Sequence, residues 1–523
     1  MGEVLARARR GWIVRAYKKF TEYIAGVNDI LNAMNILNWD ARTQMPSGGN
    51  TARGHQLATL SGIAQEKLTA DRLQTLLEQA EHETSSLPED GIERRSLIAV
   101  REASDLFRRT PERLTRELTQ LASEAQQLWG EARAQNSFAM FAPALERMVF
   151  LQRELAEVIG YAKHPYDALV NRYEPGMTHS SLNTLFAQIK ARTLPLLERI
   201  RAAAQPRHDF LSREFPLEGQ RIFGLEVARA FGYDLERGRL DVSLHPFEIS
   251  LTRDDVRITS RYQEHFLPMG LFGTLHETGH ALYEQGVSAA LSRTALTSDL
   301  GGLYAVGGAS FGTHESQSRL WENLVGRSSS FWAHWYPRLR EVFPTQLEDI
   351  DLETFHRAIN RVTPSLIRVE ADEITYNLHI MLRVELEAAL IDGSLRVRDL
   401  PETWNAKMLE YLGINPPNDA QGVLQDIHWS AGYFGSFPTY TVGNVMASQF
   451  FEAARSQRPN LEDPFELGDY RPLRQWLTEY IYRHGRRLSP HELLERASGR
   501  GLDAKPYLDY LETKFSKLYG LEV

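Results

Sequence analysis

Residues Leu271 to Gly286, LFGTLHETGHALYEQG, carry His276, Glu277 and His280 in the spacing H-E-x-x-H. That spacing does chemistry on a helix, where positions i and i+4 lie about one turn apart on one face. Both imidazoles then reach a single Zn²⁺ while Glu277 flanks the water on it. The flanks agree, because Leu271, Phe272, Leu275, Leu282 and Tyr283 recur near helical spacing. The plain alternative is an amphipathic helix with histidines along one face, which needs no metal. Under the metal reading, Zn²⁺ lowers the pKa of its water to about 7, and a neighbouring carboxylate takes that proton as the water attacks a carbonyl. Glu277 is therefore the candidate general base, and His276 and His280 are candidate ligands.

A catalytic site of this kind needs a third ligand. The long metzincin pattern would place Gly and a further His three and six residues after His280, where the chain has Tyr283 and Gly286. Several downstream acids remain open. Glu315 is preferred because it sits in a compact polar cluster, Gly312-Thr313-His314-Glu315-Ser316-Gln317, just ahead of an apolar helix with Leu320, Trp321, Leu324 and Val325. Two His and one Glu leave a fourth position for water or substrate, which is the catalytic arrangement. Such a donor set accepts several divalent ions, Zn²⁺ first and Co²⁺ as an alternative.

The frame around that helix is large. With 523 residues, 42% of them hydrophobic, the chain has ample material for a sizeable core. It has no cysteine, which excludes disulfides, thiol nucleophiles and zinc knuckles. A net charge of −9 argues against a nucleic-acid surface. Arg7, Arg9, Arg10, Arg15, Lys18 and Lys19 interrupt every apolar run at the N-terminus, and no run approaches the length of a membrane span. A cytoplasmic enzyme is the expectation.

Residues 1 to 45 read as one or two helices, stopped at Met45-Pro46-Ser47-Gly48-Gly49. From Thr51 to about Ala203 the pattern is that of long packed helices broken near 85–91, 110–111, 136–142 and 174–177. Between Arg239 and Tyr262 the texture turns β-rich, which predicts a small antiparallel sheet turning near Arg253-Asp254-Asp255. A substrate peptide adding to its edge is one use of such a sheet and core filling is the other. Residues 352 to 413 read as further helices, with Arg368, Glu370 and Asp372 inside an otherwise apolar one. Arg368 either pairs with a local acid or holds a substrate carboxylate. The loop from Gly422 to Tyr440 is rich in Gly and aromatics and carries His428, Tyr433 and Tyr440, candidate donors to a developing oxyanion.

Taken together these motifs resemble the carboxypeptidase Taq family of metallocarboxypeptidases. The likeness runs from Trp39-Asp40 through Met45-Pro46-Ser47-Gly48-Gly49 to His245-Pro246-Phe247, then Asp255 to Thr259 as D-x-R-x-T, then His276 to His280. It continues with His314-Glu315-Ser316-Gln317, Ile367 to Asp372 as I-R-x-x-A-D, and Gly422 to Trp429 as G-x-x-Q-D-x-H-W. The resemblance implies His276, His280 and Glu315 as metal ligands and Glu277 as general base and acid. Arg368 is implied on the substrate's terminal carboxylate, with His428, His245 and Arg257 among the substrate-side motif residues. It implies release of single C-terminal residues with broad tolerance but a poor rate at proline, a homodimer, and an almost wholly helical fold similar to neurolysin and angiotensin-converting enzyme. In that fold a deep groove is roofed by N-terminal helices. The expected organisation is one peptidase unit over 1–523, with 1–238 as helical lid and groove wall and 239–523 as the catalytic part. Ser436 stands where the family loop has a tyrosine, which leaves Tyr440 first and Tyr433 second as oxyanion donor. An endopeptidase or dipeptidase on the same scaffold, and a silent zinc-binding helical protein, are the rival functions.

Overall fold

The computed structural model describes residues 15–522; the N-terminal Arg7, Arg9 and Arg10 lie outside them. Helix α1 (Arg15–Thr43) buries Phe20, Ile24, Val27 and Leu31, a stripe at steps of three and four. It stops just short of Met45-Pro46. Together with helices Asn50–Thr69, Asp71–Thr84 and Ile92–Arg109 it builds an apolar cluster of its own, which also takes in Leu300 and Ala305. Helices from Glu112 onward share the main core with the catalytic part. The apolar packing therefore divides near Thr110-Pro111. Leu114, Ala125 and Phe138 already face the main core.

The sheet is small, as expected, but mixed. Strands β1 (Gly238–Val242), β2 (Glu248–Thr252) and β3 (Asp255–Ser260) lie in the order β1-β3-β2. β2 and β3 form the expected antiparallel hairpin, but β3 inserts between the other two and runs parallel to β1. The physical reason is burial: Val256 and Ile258 of β3 are fully buried, so the most buried strand takes the centre, and the His245-Pro246 bend lets the chain swing wide around it. The edge of β2 is partly covered by α1, whose Asn35 amide donates to the Ser250 carbonyl at 2.7 Å and to Ala305 at 2.9 Å.

Helix α2 (Leu267–Gly286) starts with a proline in its first turn and is buried on almost every side, including Leu271, Leu275, Thr278, Ala281 and Leu282. Helix α3 (Phe311–Arg319) is capped by Ser310, whose hydroxyl accepts from the Thr313 N–H at 2.9 Å. The buried Glu174 accepts from the Gly312 N–H at 2.9 Å and the Ser310 hydroxyl at 3.1 Å. Two glycines let α3 lie unusually close to its neighbours. A Cβ on Gly279 would come within 2.4 Å of the Gln317 carbonyl oxygen, and one on Gly443 of helix α5 (Pro438–Gln457) within 2.7 Å of Glu315 Cγ. Between these, helix α4 (Tyr376–Asp392) runs through the core.

Arg368 does not sit in a helix. The helix Leu352–Ile359 ends, and Arg368 opens a short 3₁₀ turn, Arg368–Glu370, before α4. Asp372 causes the break: its carboxylate accepts from the N–H groups of Thr363, Ile374 and Thr375, so the segment wraps around one side chain.

Candidate metal centre and active site

α2 and α3 bring His276, His280 and Glu315 to one point. Their candidate ligand atoms all lie within 4.8 Å of one another. His276 Nε2 stands 3.6 Å and His280 Nε2 3.4 Å from Glu315 Oε2. Donors about 2.0–2.2 Å from a tetrahedral ion are about 3.3–3.6 Å apart, so these residues fit a divalent cation without rearrangement. The surroundings fit as well. His276 Nδ1 faces Glu322 Oε2 at 2.9 Å, and Arg319 donates to Glu315 Oε1 at 2.7 Å, leaving Oε2 turned to the histidines. Glu322 belongs to a π-helical turn, Leu320–Val325, that continues α3; the wider turn puts its carboxylate back against His276.

Electrostatics follow from burial. Burial lowers the pKa of His280 to about 3, with the nearby His314 adding to the effect, which keeps its ring neutral. Burial works to lower that of His276 too, but Glu315 and Glu322 outweigh it and the net shift is upward. Burial opposes ionisation of Glu315, yet Arg319 and His276 hold its carboxyl well below the usual range. Among the described residues no arginine is paired with Glu277: burial raises it to about 7, His276 and the charge of Arg42 offset part of the rise, and Glu315 adds to it. A carboxylate poised there both accepts and returns a proton near neutrality.

Arg42, at the end of α1, falls inside the family-like stretch Trp39 to Gly49, but nothing in the sequence assigned it a role. Its guanidinium lies 3.5 Å over the Phe247 ring, its charge acts on Glu277, Tyr433 and Tyr304, and among the described residues it has no ion pair. The Tyr433 hydroxyl, on an exposed ring, is 3.1 Å from that of Tyr304. Tyr440 occupies a different place, 3.1 Å from His428 Nε2 and beneath Arg368, whose guanidinium is 5.0 Å from its ring centroid.

Arg368 itself is buried. Its Nε and Nη2 both donate to Asp426 Oδ1, at 3.0 and 2.8 Å, and its Nη1 donates to the Tyr376 hydroxyl at 3.1 Å. It pairs therefore with Asp426, not with Glu370 or Asp372 nearby in sequence. Asp426 is shared: the fully buried Arg383 donates from Nε to Oδ2 at 2.7 Å. Two arginines around one carboxylate leave a net positive charge, and burial in this setting lowers His428 to about 3. Arg383 lies in the helix expected over 352–413, but nothing in its own sequence neighbourhood marked it.

His245 and Arg257 are not gathered with the ligands. Arg257 pairs with Asp255 at 2.8 and 2.9 Å and stacks on Trp39 at 4.5 Å, joining the sheet to α1. His245 is exposed in the bend before β2, where Arg261, Arg42 and Arg133 lie near enough to lower its pKa beyond what burial does.

Comparison with known proteins agrees with this geometry. The pattern of the family described as Carboxypeptidase Taq (M32) metallopeptidase matches residues 19–515. The chain is 44% identical to thermostable carboxypeptidase 1 of Thermus thermophilus over 97% of its own length and 99% of the relative's. It is 38% identical to carboxypeptidase 1 of Bacillus subtilis, with 96% and 99% covered. A crystal structure of a carboxypeptidase from Deinococcus radiodurans superposes with a TM-score of 0.92 at 42% identity, covering 97% of this chain and 99% of that one.

Proposed function

Because the chain belongs to the carboxypeptidase Taq family of metallopeptidases, we propose that it releases single amino acids from the free C-terminus of peptides, with broad tolerance and a poor rate at C-terminal proline. The observation that carries this reading is the meeting of His276, His280 and Glu315 with the buried Glu277 beside them. A divalent ion held by those three, Zn²⁺ or Co²⁺, would supply Lewis acidity toward a water and the scissile carbonyl. Glu277 takes the proton of the attacking water and returns it to the leaving amine nitrogen as the C–N bond breaks, ending the cycle as it began. A phenol, Tyr440 first and Tyr433 second, donates to the oxygen that gains charge. Arg368 anchors the terminal carboxylate: with Arg383 it shares one carboxylate, so a second anion is what this pocket lacks. His428 orients the Tyr440 hydroxyl, with its other ring nitrogen 3.9 Å from Asp426 Oδ1. Arg257 and His245 shape the approach from the sheet side. Anchoring by the end of the peptide explains exopeptidase action, since an internal bond brings no carboxylate to Arg368. A cytoplasmic homodimer is the assembly that the family resemblance implies.

The test is hydrolysis of an N-acylated Ala-Arg and its C-terminal amide by chelator-treated protein before and after Zn²⁺ or Co²⁺ is restored. Metal-dependent cleavage of the free acid alone is expected. Equal cleavage of the amide would make the protein an endopeptidase on this scaffold, and metal binding without cleavage of either would make it a silent one.

A further inference from the structure

We propose that His314 is the positioning residue for His280, through a relay His280–His314–Glu284 that orients the second histidine of the metal centre as Glu322 orients the first. The proposal rests on the metal-centre reading above and adds to it residues outside the ligand set.

Glu284 lies one turn beyond His280 on the same face of α2. Its carboxylate accepts from the Gly307 N–H at 3.0 and 2.9 Å, from the Gly308 N–H at 2.9 Å and from the Ser250 hydroxyl at 3.1 Å. Three converging donors make Glu284 an acceptor, so His314 Nε2, 2.9 Å from Glu284 Oε1, must be the donor there. A neutral imidazole with its proton on Nε2 carries a lone pair on Nδ1. His314 Nδ1 is 2.5 Å from His280 Nδ1, so the proton between them belongs to His280. His280 is thereby left with its lone pair on Nε2, the atom 3.4 Å from Glu315 Oε2 and turned to the ligand point.

The His314 ring is held for this task. It meets His280 edge to edge, with centroids 4.6 Å and planes 27° apart, and lies near-parallel to the Tyr283 ring with centroids 5.5 Å apart. On its edge a Cβ at Gly308 would come within 2.4 Å of His314 Cδ2, so the backbone closes directly on the ring. The two histidine ligands are thus supported differently. His276 meets a carboxylate directly, whereas His280 reaches its carboxylate through a second imidazole carried by the residue just before the Glu315 ligand.

The full chain, stripped by chelation, is titrated with Zn²⁺ against a chromophoric chelator, and the visible spectrum of the Co²⁺ form is recorded. The expected result is a 10–100-fold loss of Zn²⁺ affinity in H314L with a changed Co²⁺ spectrum. H314Q, whose amide accepts from one side and donates to the other, should recover most of it. E284Q should weaken binding with His314 intact, and it decides the matter together with H314Q if far-UV circular dichroism shows H314L unfolded. Zn²⁺ affinity and Co²⁺ spectra equal to wild type in E284Q and in folded H314L would overturn the relay. A wild-type chain that binds neither ion would overturn the metal-centre reading itself.

Discussion

At the scale of single residues, burial and choice of partner set two neighbouring carboxylates apart. Glu277 and Glu315 are both buried carboxylates, yet one is raised to about 7 and the other held low, because Arg319 pairs with Glu315 and no cation pairs with Glu277. Glu277→Gln should keep Zn²⁺ affinity while lowering kcat by about 10²–10⁴, read by parallel metal titration and turnover. Full turnover in the metal-loaded variant would remove Glu277 from its role. The two phenols are separable in the same way. Tyr440 touches His428 and lies against Arg368, whereas Tyr433 touches Tyr304 on the Arg42 side. Tyr440→Phe should cost about 10²–10³ in kcat if it serves the oxyanion, with Tyr433→Phe acting mainly on KM; steady-state kinetics of both variants read the split, and the reverse pattern would exchange their roles.

At the scale of elements, the centre depends on α3 lying close against α2 and α5 at two glycines, Gly279 and Gly443, where a Cβ would not fit. Gly279 is one of the two unspecified positions in H-E-x-x-H, and its hydrogen faces the Gln317 backbone. Gly279→Ala should force α2 and α3 apart, lowering stability by about 1–3 kcal/mol and weakening Zn²⁺ binding together, because Glu315 moves with α3. Thermal melting and metal titration of that variant check the pair of effects; loss of stability at unchanged Zn²⁺ affinity would show that the helix contact does not set the ligand spacing. The helical periodicity of α1 and α2 was legible in the sequence, since their apolar residues recur at three and four. The break at Arg368 was not, because it is made by one side chain, Asp372, turning three N–H groups toward itself. The mixed sheet was hidden for a related reason: strand order depends on which strand is buried most, and alternation along a strand does not report its neighbours.

At the scale of the whole molecule, the buried polar groups that hold the site together make stability depend on pH. Burial raises Glu174, which receives the start of α3, to about 7 from an ordinary 4.5. Between those values the folded chain binds more protons than the unfolded one, so this group's contribution declines as pH rises from about 4.5 to about 7. Glu174→Gln removes the titration. Relative to wild type the variant should gain stability on the order of 3 kcal/mol as pH is raised across that window, measured by denaturant unfolding at several pH values. A difference that stays constant with pH would show that Glu174 is ionised throughout.

What is local was legible along the chain: His276 and His280 stand one turn apart with Glu277 beside the first, and the frame is mainly helical, because i, i+4 spacing and apolar periodicity are local consequences of backbone geometry. Tertiary structure alone decided the partners. Arg368 pairs with Asp426, 58 residues away, and shares it with Arg383. Arg42 brings its charge from α1 toward Glu277 without pairing with it, and His314 meets His280. Charge and hydrogen-bond pairing act through space over a few ångströms, and no periodicity along the chain records which distant groups packing will bring within that reach.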